Sequence, residues 1–117
     1  MTRTVTVIEP RSSIKTFGTP LDTSQLRCLV SVALSVEKEN PVIVVSSDGA
    51  SLCGAFCAVH NVIQQTNMDT NVDVFTSVRQ LQIRRPKFCS SLEEYGLIFK
   101  AVDDHIQRGT ENIYSNQ

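Results

Sequence analysis

Val42-Ile43-Val44-Val45 is a run of four β-branched residues set directly behind Asn40-Pro41 and directly before the small-residue stretch Ser46 to Leu52 (SSDGASL). Branching at Cβ favours extended backbone. The run is too short for a helix, so it predicts a strand covered on both faces. From Cys53 the pattern changes, with Phe56, Val59, His60 and Ile63 recurring at three- and four-residue intervals up to the polar stretch Gln64 to Asn71, which is helical spacing. Strand, tight loop and helix together aim successive backbone N–H groups and the positive end of the helix dipole at one point, an arrangement that suits an anion. The signal is weak by itself, since any α/β fold contains several such units. The glycines match neither a Walker loop, which needs Gly-Lys-Ser/Thr, nor the Gly-x-Gly-x-x-Gly dinucleotide fingerprint.

The remaining chain supplies flanking elements. Thr4 to Ile8 alternates and stops at Glu9-Pro10, which predicts a short second strand, with a loop from Pro10 to Thr19. Leu21 to Glu39 reads as an amphipathic helix, capped by Asp22, Thr23 or Ser24 and apolar at Leu26, Leu29, Val30, Ala33 and Leu34. Asp73 can cap a helix that carries Phe75, Val78 and Leu81 and stops before Pro86. The last helix starts near Ser90 or Ser91, places Glu93 and Glu94 where the dipole favours them, and turns Leu92, Tyr95, Ile98, Val102 and Ile106 inward. Beyond Gly109 a polar tail is expected to fray. The predicted fold class is α/β, with a central buried strand and helices beside it.

Composition narrows the function classes. At 117 residues, 41% apolar and net charge −1, the chain has the make-up of one globular domain or a piece of a larger one. It lacks the basic field that nucleic acid or an anionic membrane would require. No run of eighteen apolar residues and no signal-peptide pattern occurs, which predicts a cytoplasmic protein or the cytoplasmic portion of something longer. Cys28, Cys53, Cys57 and Cys89 have no paired zinc spacing and read as reduced thiols. Neither a metal nor a cofactor is expected. Cys53 and Cys57 lie one helical turn apart, but two thiols without a third ligand do not make a metal site. Cys53, at a helix start, is either a thiol of lowered pKa or a small buried residue. His60 reads as a helix residue rather than a base. Arg79, Arg84 and Arg85 are either a patch for an acidic partner or solvated charges at a helix end.

Around the strand-loop-helix the chain resembles the protein tyrosine phosphatases, whose signature is a strand leading into His-Cys-x-x-Gly-x-x-Arg-Ser/Thr-Gly and a helix. Val45-Ser46-Ser47-Asp48-Gly49-Ala50-Ser51-Leu52-Cys53-Gly54 stands in that register, with Gly49 and Gly54 in the expected places. Asn71-Val72-Asp73-Val74-Phe75, Val78-Arg79, Arg85-Pro86 and Leu92-Glu93-Glu94-Tyr95 are similar to further segments of the family at their usual spacing, and Arg3 to Thr6 with Pro20 resembles the strand and closing proline of its mobile acid loop. The resemblance is most specific from Pro41 to His105.

In that family a cysteine thiolate attacks phosphorus, an arginine grips the phosphoryl oxygens, an aspartate protonates the leaving phenol and a glutamine positions water. The resemblance puts Ser46 at the nucleophile, Leu52 at the arginine, Val45 at the signature histidine, Thr16 within Ile14-Lys15-Thr16 at the general acid, and Ser90 at the glutamine. A hydroxyl without an activating base is a poor nucleophile. Losing a bidentate arginine forfeits roughly 3 to 6 kcal/mol, at about 1.5 to 3 per charged hydrogen bond. Asp48 adds repulsion of about 3 kcal/mol per unit of phosphate charge at roughly 5 Å and an effective dielectric of 20, unless it points to solvent.

These replacements imply the C-terminal half of a catalytically degraded phosphatase domain, of the membrane-distal, pseudophosphatase type found as the second domain of receptor-like phosphatases. The implied layout is a strand and degenerate acid loop over 1–20, a helix over 21–40, a strand and degenerate signature loop over 41–54, a helical part over 55–108 and a frayed tail over 109–117. The expected role is regulatory or protein-binding, with an active phosphatase domain as one partner and self-association as another expectation. Two alternatives stand beside it: a residual hydrolase using Cys53 or Ser46, and a truncated fragment without a separate function.

Overall fold

A computed structural model describes residues 5–10, 14, 22–36, 42–46, 51–69 and 73–115, without the side chains of 51, 67–69 and 109–115. Among these residues the regular structure is four helices: α1 (Ser24–Ser35), α2 (Ser51–Asp69), α3 (Val74–Arg84) and α4 (Leu92–Ser115). No strand occurs among the described residues. The expected α/β architecture with a central buried strand is therefore corrected to a helical one. Val42 to Val45 carries no regular structure, and Ile43 and Val45 are 83% and 85% exposed. Val5, Val7 and Ile8 are exposed too, also without regular structure. Branched side chains bias single residues toward extended backbone, but a strand exists only when a neighbouring segment completes its hydrogen-bond ladder. Among the described residues neither run has such a neighbour.

The helices begin where local chemistry lets them. Asp73 caps α3, its carboxylate accepting from the Thr76 N–H at 2.9 Å and from the Thr76 hydroxyl at 2.7 Å. These two bonds, the backbone one foremost, hold the Asp73 carboxyl below the usual range. Ser91 does the same for α4, accepting from the Glu94 N–H at 3.2 Å. At α1 the duties are divided. Thr23 occupies the cap position without capping, while Asp22 accepts from the Ser24 N–H at 2.9 Å. α1 ends at Ser35, with Val36 already extended. α2 runs past Ile63 to Asp69, with the Thr66 hydroxyl bonding back to the Val62 carbonyl at 2.8 Å.

α2 is the hub, lying against α4, α3 and α1, while α1 also touches α4. Its inward stripe is Ala55, Ala58, Val59, Val62 and Ile63; around it close Leu26 and Val30 of α1, Val74 and Val78 of α3, and Leu97, Ile98, Ala101 and Val102 of α4. Alanines at 55 and 58 keep the helix axes close, and the branched and leucine side chains fill the space between. Ile98 and Val102 are inside as their spacing predicts, and Tyr95 and Ile106 are half-buried. Phe75 and Leu92 point outward instead, at 63% and 84% exposure.

A polar link closes the bundle across the chain. The buried Thr23 hydroxyl donates to Asp104 Oδ2 and accepts from Arg27 Nε at 2.9 Å, and Lys100 Nζ pairs with Asp104 Oδ1 at 2.9 Å. Burial opposes ionisation of Asp104, but the hydrogen bonds from Thr23 and Lys100 and the charges of Lys100 and Arg27 outweigh it and lower its pKa. A depressed carboxyl contributes stability that is fully present above its ordinary pKa of 3.8 and lost as pH falls through the lower folded value. The stability difference between the parent chain and Asp104→Asn, measured by denaturant unfolding across pH, should be present at neutral pH and close below pH 3.8. A difference that stays constant through the acid limb would show that Asp104 contributes no charge-dependent stability.

Candidate functional site

The start of α2 and the turn between α3 and α4 meet at one place. Gly54 is buried there against Phe88; a Cβ on Gly54 would lie 3.1 Å from Phe88 Cβ and Cγ and 3.3 Å from its Cα. Only a residue without a side chain lets the helix approach the turn this closely. The turn is held by Arg85 N–H donating to the Leu81 carbonyl at 2.8 Å and by Phe88 N–H donating to the Arg85 carbonyl at 2.9 Å. Gln82 adds a side-chain clamp, its Nε2 donating to the carbonyls of Phe88 at 3.3 Å and Cys89 at 3.1 Å. Within this clamp Cys89 takes a φ of 56°, the left-handed region that an L-residue enters at a cost of roughly 1 kcal/mol or more. Neither Gln82 nor the left-handed Cys89 stood out in the sequence. Residue type carries no signal for either, since asparagine or glycine is what such a φ usually selects.

The residues singled out from sequence fall as follows. Ser46 is half-buried, directly after Val42 to Val45. Leu52, in the first turn of α2, is half-buried and packs on the core. Cys53 is buried, with its Sγ donating to the Val44 carbonyl at 3.5 Å. Val44 and Cys53 thus tie the segment before the loop to the helix after it. Ser90 is exposed, just after the left-handed Cys89. Ser51 opens α2, and its side chain is not described. Thr16, Ser47, Asp48, Gly49 and Ala50 lie outside the described residues.

Thiol and imidazole environments near this junction are those of packed groups. Burial, with a smaller contribution from Cys53, pushes the Cys57 thiol up. Burial, then the nearby Glu94 and Cys57, pushes Cys89 up to about 11. Both therefore stay protonated at neutral pH and are weak nucleophiles. His60 stacks on Phe56 with ring centroids 6.0 Å apart. Among the described residues no group of three or more His, Cys, Asp or Glu is placed to hold a metal ion, and no helix is long and apolar enough to cross a membrane. Charge is absent in another respect: from Lys38 to Arg79 the sequence has no intervening lysine or arginine. No residue of the 42–54 segment or of α2 can therefore supply a permanent cation.

Comparison with known proteins finds the family that the sequence motifs resemble. The family described as Protein-tyrosine phosphatase matches residues 15–104. The chain is similar to receptor-type tyrosine-protein phosphatase alpha of Homo sapiens, at 31% identity over 84 residues, covering 67% of this chain and 10% of that protein. It is also similar to receptor-type tyrosine-protein phosphatase epsilon of Rattus norvegicus, at 34% identity over 67 residues, 57% of this chain and 10% of that protein. A third relative is receptor-type tyrosine-protein phosphatase eta of Gallus gallus, at 32% identity over 82 residues, 67% of this chain and 6% of that protein. The chain spans a tenth or less of the length of these relatives.

Proposed function

We propose, from the premise that this chain belongs to the protein-tyrosine phosphatase family, that it keeps part of the family's framework without the reaction and acts as a regulatory or protein-binding module. Leu52 carries this reading. The position matching the phosphate-gripping arginine holds an aliphatic side chain packed on the core, and no lysine or arginine of the surrounding stretch stands in for it. Ser46 replaces the attacking cysteine, and a hydroxyl needs a base that the buried, carbonyl-bonded Cys53 does not provide. Cys53 itself is a poor candidate for a residual hydrolase, being buried and already donating its S–H. Thr16 and Ser90 stand in for the general acid and the water-positioning glutamine, and neither side chain can serve as a carboxylic acid.

The receptor-type relatives support a location in the cytoplasmic part of a membrane receptor and a role like that of a membrane-distal second domain, with an active phosphatase domain as partner. No cofactor is needed for such a role. The test is release of phosphate from para-nitrophenyl phosphate and from a phosphotyrosine peptide, expected at the level of the buffer blank. Vanadate-sensitive turnover that disappears in Ser46→Ala would overturn the proposal.

A further inference from the structure

α3 packs inward on α2 through Val74, Ser77 and Val78. Its opposite side carries Phe75, Arg79 and Ile83, four residues apart and therefore in one row; Phe75 and Ile83 are 63% and 79% exposed. Beyond Ile83 the same end of the helix continues into Arg84, Arg85 and Lys87, all exposed. From Val74 to Ser90 the sequence has four cations and no carboxylate. Asp73, just before, is occupied by Thr76. None of the four cations makes an ion pair among the described residues, where Lys100–Asp104 is the salt bridge formed. Two of them are braced instead: the Arg79 guanidinium lies 5.9 Å over the Phe75 ring and that of Arg85 lies 5.8 Å over the Phe88 ring. A guanidinium held on a ring keeps its donors free while losing less side-chain freedom on binding.

We infer that this face of α3 and the following turn docks an acidic peptide segment bearing an apolar side chain. The apolar side chain rests between Phe75 and Ile83, and its carboxylates pair with Arg79, Arg84 and Arg85. Charge complementarity selects this occupant. The row from Phe75 to Ile83 is only about 12 Å long at 1.5 Å per residue, the reach of two turns of helix or a few extended residues. Nucleic acid and anionic membrane fit less well, because each asks for a broad basic field and this chain has a net charge of −1. The inference rests on the reading of the chain as a protein-binding module and names the chemistry of the partner.

Fluorescence anisotropy of the full chain with labelled peptides of about twelve residues tests it. The probes are a Glu/Leu amphipathic peptide, a Glu/Ser peptide of equal charge, a Lys/Leu peptide and a single-stranded RNA. Saturable binding of the Glu/Leu peptide is expected, with the other three at least about tenfold weaker. Phe75→Ser and Arg79→Glu should each weaken binding about tenfold, while Arg108→Glu on α4 should leave it unchanged. Thermal melts of all three variants, expected to match the parent, separate lost contacts from lost folding. Failure of the Glu/Leu peptide to bind, equal binding of the Glu/Ser peptide or the RNA, or indifference to both α3 variants would overturn the inference. A chain that is inert toward para-nitrophenyl phosphate yet fails this assay loses the docking face alone. Turnover of that substrate would remove the underlying reading instead.

Discussion

A Ser46→Cys variant should release no more phosphate from para-nitrophenyl phosphate than the parent chain, although it restores the residue that the family uses for attack. A thiolate is the better nucleophile, but its value depends on being stabilised as an anion and on gripping the phosphoryl group beside it. Leu52 offers neither charge nor hydrogen bonds. The missing bidentate contact alone, at roughly 3 to 6 kcal/mol, corresponds to a rate loss of about 10² to 10⁴. On the proposed register, Thr16 in place of a general acid removes a further factor of about 10² to 10⁴. These effects act on one transition state, so repairing a single one leaves the rest in force. Burst release by Ser46→Cys, blocked by vanadate, would show that the arginine position has been overvalued.

Leu97→Ala should lower stability by about 2 to 5 kcal/mol, the range for truncating a leucine inside a packed core. Leu97 is fully buried on α4 in the cluster formed with α1, α2 and α3. The rest of that packed cluster can collapse into the space it leaves only in part. For a domain of this size that loss lowers the melting temperature by roughly 10 °C or more. Leu92→Ala provides the comparison: the same chemical change on the same helix at 84% exposure should stay within about 0.5 kcal/mol. Equal shifts for the two variants, read by thermal unfolding, would contradict the placement of the α4 face.

Local chemistry was readable where it acts over three or four residues. Asp73 as a cap, Pro86 as a stop and the carboxylates at the start of α4 all describe the neighbourhood of a single helix end, and α3 begins and ends, and α4 begins, accordingly. The expected strands failed for the opposite reason. Val42 to Val45 declares a backbone preference, but pairing depends on a partner segment that no local pattern announces. Periodicity also located an apolar stripe on α3 and α4 without fixing its edges, so Phe75 and Leu92, at the margins, turned outward. The link from Thr23 to Asp104 joins residues 81 apart, and neither residue type marks it. At the site, spacing predicted a helix from Cys53, and α2 instead begins two residues earlier, at Ser51, so Leu52 lies in the helix and not in the loop before it. The clamp of Gln82 on the Cys89 turn was invisible, because amide and thiol side chains have many bland uses.

The central position of α2 has a consequence for the order in which the chain is made. During synthesis α1, α2 and α3 emerge before α4, so the part of the α2 stripe that α4 covers stays open to water until residues near 97–102 have left the ribosome. Closing that last contact draws together segments as distant as Thr23 and Asp104, at a loop entropy of about 4 kcal/mol from the logarithmic term for 81 residues. Until then the nascent chain carries α2 half covered, and contact with another unfinished chain competes with arrival of α4.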